Sequence, residues 1–105
     1  MGNATLRADA KGFIVAWSDA AERLLGHTAS EAIGQSLEII IPPHLRAAHA
    51  SGFARFVRTG ESRLPETVPT SALRRDGQIA RLNISVRAIR NPAGEIVAVD
   101  AWMRA

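Results

Sequence analysis

Apolar and polar residues alternate one by one through much of the last third of the chain. Between residues 81 and 88 the apolar positions are Leu82, Ile84, Val86 and Ala88, and the polar positions are Arg81, Asn83, Ser85 and Arg87. A period of two is typical of a half-buried antiparallel strand. The stretch is therefore predicted to be a strand with one face on the core.

Two further strands flank this one. The turn "RNPAGE" leads into a final strand that leaves Asp100 and Trp102 on one side. The apolar side of that final strand comprises Val97, Val99, Ala101 and Met103. The turn "RRDG" at 74–77 closes an earlier strand, which we predict to run from about Leu64.

The opening stretch "TLRADAKGFIVAWS" predicts a hairpin. Its two short strands are joined by a turn from Asp9 to Gly12. We expect Phe13, Val15 and Trp17 to lie on one face of the second strand.

Two short helices are predicted after the hairpin. Ser18 is a helix start signal and Gly26 a stop signal. A second helix is expected from a cap at Thr28 or Ser30 to Gly34.

A longer helix is predicted within "IIPPHLRAAHASGFARF", residues 40–56. Pro43 suits a first helical turn, and Gly60 lies just past the expected end. One helical stripe, which we expect to pack against the sheet, comprises Leu45, Ala48, His49, Gly52, Phe53 and Phe56. The predicted fold class is α+β, with an antiparallel sheet and helices laid across one face.

Composition narrows the function. The 105 residues suit one domain, and 47% hydrophobic with 22% charged residues is typical of a globular protein. No apolar run in the chain is long enough to cross a bilayer, and no signal peptide stands at the start, so we expect a cytoplasmic protein without a membrane partner. Because the chain has no cysteine, thiolate catalysis, Cys-ligated zinc and cysteinyl photochemistry are excluded. It also carries no recognisable catalytic motif, so no enzyme activity is predicted.

The net charge of +3 comes almost wholly from arginine, since Lys11 is the only lysine. The arginines are spread over the second half of the chain and do not alternate with aromatic residues. Nucleic-acid binding is therefore not predicted. Most of these arginines are expected to be solvated, with a few available for an anion.

His49 is the unusual residue of the helical stripe, because it is polar among apolar positions. Its neighbours Ala48 and Gly52 are small, and Gly52 costs a helix interior about 1 kcal/mol relative to alanine. A planar ligand bound to the imidazole nitrogen would explain both features. Arg55 lies six residues further on, about 9 Å along the axis, where it would reach an acidic group on the ligand rim.

A structural interpretation of the same residues stays open at this point. A lone histidine on an apolar stripe is often a core residue bonded to a main-chain carbonyl or a buried water. Gly52 would then allow close packing of the helix on the sheet, and Arg55 would be solvated.

The whole chain resembles a PAS domain, the small sensor module of signalling proteins. The stretches similar to that family are "GFIVAWSDAAERLLGHTASEAIGQSL" and "RRDGQIARLNISVRAIRNPAGEIVAVDAWMR", and the match covers roughly residues 5–104. The resemblance implies a five-stranded antiparallel sheet with short helices and one long helix across one face. It also implies a single sensor domain over residues 1–105.

The stretch "IIPPHLRAAHASGFARF" resembles the long helix of the haem-binding PAS branch, as in FixL-type and Dos-type gas sensors. That resemblance implies haem b as cofactor, with His49 as the iron ligand and Arg55 as the partner of a haem propionate. It implies a sensor of a diatomic gas (O2, CO or NO) or of the haem redox state. The pocket residues that follow from it are Gly52, Phe53, Phe56, Val68, Ile84, Val86, Val99, Ala101 and Met103.

One departure from the resembled oxygen sensors concerns the gas. Where those sensors carry an arginine, this chain has Val68, so an apolar wall is expected and oxygen specificity is not implied. Thr67 or Glu66 would substitute only if the loop folds inward, and Trp102 is expected to lie too far out. Met103 is either a sixth ligand or a core residue.

The two other histidines, His27 and His44, are expected at the surface near helix ends.

The alternative function is a cofactor-free dimerisation or protein-interaction module, with Trp102 on an outer sheet face. A third possibility is a pocket for flavin or another small molecule. We expect a homodimer and an effector partner. Because the chain ends at "AWMRA", on the last predicted strand, we also expect a fragment of a longer signalling protein.

Overall fold

The computed structural model describes residues 3–60 and 68–105, and of Val68 it describes only the backbone. The strands are β1 (Ala4–Asp9), β2 (Ile14–Trp17), β3 (Val68–Leu73), β4 (Ile79–Arg90) and β5 (Ile96–Arg104). The α-helices are α1 (Asp19–Leu25), α2 (Ala29–Ala32) and α3 (Arg46–Thr59). Two short 3₁₀ helices span Leu37–Ile40 and Pro43–Leu45.

The five strands form one antiparallel sheet, as the resemblance implied. Their order in the sheet is β2-β1-β5-β4-β3. The last strand, β5, lies in the centre and pairs with β1 and with β4. Residues directly opposite each other in an antiparallel pair point to the same side. Ala101 is opposite Leu6 on β1 and opposite Val86 on β4, so these three residues share one face, which we name the inner face.

The inner face carries the core. The fully buried side chains of Ile14, Leu25 and Met103 are among its largest members. Buried residues of α1, α2 and the first 3₁₀ helix, namely Ala21, Leu25, Ala32, Leu37 and Ile40, belong to the same apolar cluster as Leu6 and Ala101. α1 packs on β1, and α3 packs on β5. All the packed helices therefore lie on the inner face.

Local capping explains where the first two helices begin. The Ser18 hydroxyl accepts hydrogen bonds from the amides of Ala21 and Thr5, so it caps α1 and ties it to β1. Thr28 and Glu31 form a reciprocal capping box at α2. The predicted start of α1 after Ser18 and its end at Gly26 are confirmed, whereas α2 ends at Ala32, two residues before Gly34.

The longest described helix, α3, contains 14 residues and ends at Gly60, which adopts φ +73°. The predicted helix end at Gly60 is therefore confirmed, and the turn from Pro43 forms as a 3₁₀ helix just ahead of α3. In residues 3–60 and 68–105, no helix has both the length and the apolar character needed to cross a membrane.

Two β-bulges overturn part of the predicted strand faces. Phe13 and Val15 are 45% and 47% exposed while Ile14 and Trp17 are buried, so the prediction that Phe13, Val15 and Trp17 share one face is wrong. The pairing passes from Arg7–Ala16 to Ala8–Ile14, which leaves Val15 as the extra residue of a bulge.

Val97 departs from the predicted pattern for the same reason. The pairing of β4 with β5 passes from Ile89–Ala98 to Arg90–Ile96, so Val97 is skipped, and its side chain is 44% exposed. Its predicted place beside Val99, Ala101 and Met103 is wrong. The predicted beginning of β3 at about Leu64 lies outside the described residues.

The glycine that ends α1 gives a test of the fold. Gly26 has φ +90°, and a β-carbon there would lie 3.1 Å from the Cβ of Arg75, whose amide donates to the Leu25 carbonyl at 2.9 Å. Gly77 has a similar φ of +87°, but a β-carbon there would meet nothing within 4 Å. We expect Gly77→Ala to cost about 1–2 kcal/mol through backbone strain. Gly26→Ala should cost at least about 1 kcal/mol more, because it adds a close contact.

The measurement is the free energy of unfolding from urea titrations of the parent and the two variants. Equal losses at both positions would show that the contact of Gly26 with Arg75 does not limit the packing.

Candidate functional site

The half-buried side of α3 is the framework of the site. Its half-buried residues, with Leu45 just before the helix, are Leu45, Arg46, His49, Phe53, Phe56 and Val57. Positions separated by three or four residues lie on one side of a helix. His49 and Phe53 are therefore neighbours on this side, with ring centroids 6.0 Å apart and the ring planes inclined by 26°. Phe53 also packs against the core cluster.

The imidazole of His49 has no hydrogen-bond partner among the described residues. No fully buried side-chain nitrogen or oxygen in that part of the chain lacks a hydrogen bond, and His49 itself is only half-buried. A core histidine capped by a main-chain carbonyl is therefore not what the described residues form. The ring is instead held by packing, with its nitrogens available to a ligand.

Burial lowers the pKa of His49 below its ordinary value of 6.5, and the negative charge of Glu38 acts in the opposite direction. The imidazole is therefore held in its neutral form, which is the form that binds a metal. Glu38 is exposed on the 3₁₀ helix Leu37–Ile40, where the hydroxyl of Ser36 accepts a hydrogen bond from its amide.

Glu38 was missed in the sequence analysis because the 3₁₀ helix that carries it was not predicted. A signal was present in the sequence. Ser36, a good capping residue, stands immediately before Leu37 and two residues before Glu38.

The inner face of β4 and β5 brings together the sheet residues of the predicted pocket. Cross-strand pairs join Ile84 with Met103 and Val86 with Ala101, and Val99 follows on the same side of β5. Val99, Ala101 and Met103 are buried, and Ile84 is partly buried against the core.

Val86 differs from its neighbours on this face. It is 42% exposed, although Ala101 directly opposite it on β5 is only 6% exposed. Part of the inner face of β4 is therefore apolar and open to solvent. Met103, at 1% exposed, belongs to the core cluster, which is the packing role that the sequence left open.

The place predicted for Gly52 is wrong. Gly52 is exposed, and a β-carbon there would meet nothing within 4 Å, so it does not bring α3 close to the sheet. Ala48 lies on the same exposed side. The glycine that does meet the helix is Gly12, where a β-carbon would lie 3.6 Å from Cε1 of Phe53. From the sequence, Gly12 was expected only to form part of a turn, and its contact with Phe53 was not predicted.

Arg55 is exposed on α3, and no acidic side chain among the described residues pairs with it. No acid of the described residues therefore competes with an anion that approaches this part of α3. Phe56, one residue further along, is half-buried.

The other predicted residues lie apart from this cluster or outside the described residues. Val68 pairs with Ile84 through the backbone, but its side chain, together with Glu66 and Thr67, lies outside the described residues. His44 is exposed, as predicted. His27 is half-buried next to Trp17, whose indole nitrogen donates to the His27 carbonyl at 2.9 Å, so its predicted place at the surface is only partly correct.

The described residues define the class of the protein, a small α+β domain whose longest described helix packs on the central strand of an antiparallel sheet. The chain matches the family model described as "PAS fold" over residues 1–102. It belongs to the PAS family. The prediction that the chain is not an enzyme agrees with this membership, because PAS domains are sensory and interaction modules.

The chain is similar to curated proteins over most of its length, and two of them are more than 30% identical to it. An uncharacterized protein of Azorhizobium caulinodans is 38% identical over 90 residues, which cover 84% of this chain and 12% of that protein. The sensor protein FixL of Bradyrhizobium diazoefficiens is 33% identical over 88 residues, which cover 80% of this chain and 17% of FixL. The chain thus spans less than a fifth of the length of either relative.

Among solved structures, the PAS domain of a protein from Colwellia psychrerythraea has a TM-score of 0.81 at 22% identity, covering 97% of this chain and 84% of that one. This likeness shows the fold. The family match identifies the chain as a PAS domain, which is a sensor and signalling module.

The charge on Glu38 provides a test of the environment of His49. Because Glu38 raises the pKa of His49, Glu38→Gln should lower that pKa further below 6.5. The measurement is the pH titration of the His49 ring protons by NMR, with Glu22→Gln on the exposed side of α1 as the matched control. A pKa of His49 at or above 6.5 in the parent, or a rise in Glu38→Gln, would contradict this assignment.

The same pKa predicts the pH dependence of stability. With the folded-state pKa of His49 below 6.5, the unfolded chain binds the extra proton first as the pH falls. This contribution is therefore zero above pH 6.5 and becomes destabilising as the pH drops toward the folded-state pKa. Unfolding of His49→Gln by urea should show a flatter dependence on pH in that window than the parent.

Proposed function

We propose that this PAS domain binds haem b through His49 and senses a diatomic gas (O2, CO or NO) or the redox state of the haem. The observation that carries the proposal is the neutral, half-buried imidazole on the packed side of α3, which has no hydrogen-bond partner among the described residues. When bound, haem supplies an iron centre with an open position for a diatomic gas.

The donor set of the chain fits haem better than a bare metal ion. The described residues contain no group of three or more His, Asp or Glu side chains that would hold an ion. A haem iron obtains four ligands from the porphyrin and needs one or two from the protein. A single histidine such as His49 is sufficient for that role.

The side chains around His49 suit a flat apolar cofactor. Phe53 stacks on the imidazole and limits its rotation, so the ligating nitrogen has a defined direction. The open apolar surface at Val86, beside the buried Ala101, would be covered by the cofactor, which removes apolar area from water. Arg55, exposed and without an acidic partner in the described residues, would pair with a propionate.

The inner-face side chains also bear on the choice of gas. Ile84, Val86, Val99 and Ala101 carry no hydrogen-bond donor. A wall made of them offers no hydrogen bond to a bound gas, which carbon monoxide needs less than oxygen does. A change at this wall would be relayed to an effector through the central strands β4 and β5, and the relationship to the sensor protein FixL supports such a sensing role.

The direct test is titration of the purified protein with haem, followed by its visible absorption spectrum. The parent should show a Soret band that saturates at one haem per chain. His49→Ala should lose stable incorporation, or regain it only with added imidazole, because the iron loses its protein ligand. His44→Ala, which removes an exposed histidine, is the matched control and should behave like the parent.

A spectrum of His49→Ala identical to that of the parent would assign the ligand to another residue. A parent that takes up no haem but copurifies with a chromophore absorbing near 450 nm would favour flavin. If the parent shows neither a Soret band nor a band near 450 nm, the cofactor-free interaction module remains as the function.

Arg55 provides a second test of the same site. Arg55→Ala should speed haem loss to apomyoglobin by a few-fold, since a partly exposed ion pair contributes at most about 1 kcal/mol. Arg58→Ala on the exposed side of α3 is the matched control and should leave the rate unchanged. Equal rates for Arg55→Ala and the parent would remove Arg55 from the site.

A further inference from the structure

The face of the sheet opposite the helices, which we name the outer face, is rich in arginine. Alternation along the strands places Arg7, Arg81, Arg87, Asp100, Trp102 and Arg104 on it. The helices pack on the inner face, and no described element covers these side chains. The outer face is therefore an open, charged surface on a protein whose net charge is only +3.

The acidic groups of this face are already engaged within the domain. The carboxylate of Asp100 accepts two hydrogen bonds from the Arg7 guanidinium, at 2.7 and 3.1 Å, and this contact lowers the pKa of Asp100. Asp9, at the end of β1, accepts the amides of Lys11 and Phe13 in the hairpin turn. Its carboxylate is therefore directed to the turn.

The other three arginines of the outer face, Arg81, Arg87 and Arg104, form no ion pair with an acid in residues 3–60 and 68–105. Arg81 and Arg104 are exposed on strands β4 and β5. Arg87 lies directly opposite Asp100 and helps to lower its pKa, whereas Arg81 and Arg104 have no acidic partner among the described residues. The described part of the outer face therefore carries a net positive charge.

A shallow groove of about 370 Å³ lies on the same sheet beside Arg7, Asp100 and Trp102. Its lining includes Thr5 and Ala16, which are small, together with Trp102 and the Arg7–Asp100 pair. The guanidinium carbon of Arg87 lies over the Trp102 ring, 5.2 Å from its centroid, and holds the indole in place. The groove is large enough for one apolar side chain.

We infer that the outer face binds an acidic protein segment, which places one apolar side chain in the groove beside Trp102 and carboxylates on Arg81, Arg87 and Arg104. Tryptophan and arginine are both enriched at the centres of protein interfaces. This inference concerns residues on the side of the sheet away from His49, and it holds whether or not the domain binds haem.

The same charges argue against the two other occupants. A second copy of this face would bring arginine against arginine, and like charges across an interface are unfavourable. Single-stranded nucleic acid binds sheets through several aromatic rings on which bases stack. Trp102 is the one aromatic residue among the described outer-face positions, and Arg87 already covers its ring.

The test uses the full 105-residue protein and two synthetic helical peptides as probes. The first peptide carries leucine flanked by glutamates on one side, and the second has glutamine in place of each glutamate. Binding is measured by fluorescence anisotropy, and the site is mapped by backbone amide shifts in NMR. We expect the acidic peptide to bind more tightly, to shift amides of β1, β4 and β5, and to weaken with added salt.

Two protein variants separate the outer face from general charge. Arg104→Glu should weaken binding of the acidic peptide by at least about threefold, since each exposed charge contact contributes up to about 1 kcal/mol. Arg23→Glu makes the same charge change on α1, on the helical side of the sheet. It should lower the affinity for the acidic peptide only slightly, through the change in net charge. A version of the acidic peptide with alanine in place of leucine should bind the parent more weakly. Trp102→Ala should abolish this preference for leucine over alanine.

The inference is overturned by equal affinities for the two peptides, by equal affinities of Arg104→Glu and Arg23→Glu, or by shifts confined to the helices. It is also overturned if a single-stranded RNA oligonucleotide binds the outer face more tightly than the acidic peptide does. Sedimentation that shows a dimer dissociated by Trp102→Ala would assign the face to a second copy instead.

Discussion

The pairing of β5 with both β1 and β4 is the constraint on which the rest of the structure depends. Because the last strand lies between the first strand and β4, the two ends of the chain close one sheet, and Leu6, Ala101 and Val86 fall into one row of the inner face. The helices can pack only on the apolar side of that sheet. The direction of every side chain in the central strands follows from this one arrangement.

The helix α3 packs on this sheet with a polar group in the packed side, which is unusual for so small a core. The imidazole of His49 does not recover the free energy of burial through a hydrogen bond to any described residue. It remains neutral instead, since burial lowers its pKa, and it stacks on Phe53. A group held neutral, oriented and unpartnered has more to gain from a ligand than a core histidine bonded to a carbonyl.

The two candidate surfaces of the domain meet in a single strand. Along β5, Ala101 and Met103 point into the core while Asp100 and Trp102 point outward. A displacement of the strand by something bound on the inner face would therefore move the Arg7–Asp100 pair and the groove beside Trp102 as well. This connection is physical, because it runs through one peptide backbone, and it would link the proposed haem site to the proposed partner surface without an intermediate network.

Local sequence patterns determined the secondary-structure elements. The alternation of apolar and polar residues around Ile84 and Val86 predicted a strand, and Ser18 and Gly26 marked the two ends of a helix. Helix caps and hydrophobic periodicity can be read from the sequence because they involve residues only a few positions apart. The resemblance to PAS domains supplied the sheet around them. Tertiary structure alone decided the exceptions. The bulge that exposes Val97 depends on the register with β4, the exposure of Gly52 depends on the rotation of α3, and the charge of Glu38 reaches His49 only through space. These features depend on contacts between residues distant in the chain, which no local pattern encodes.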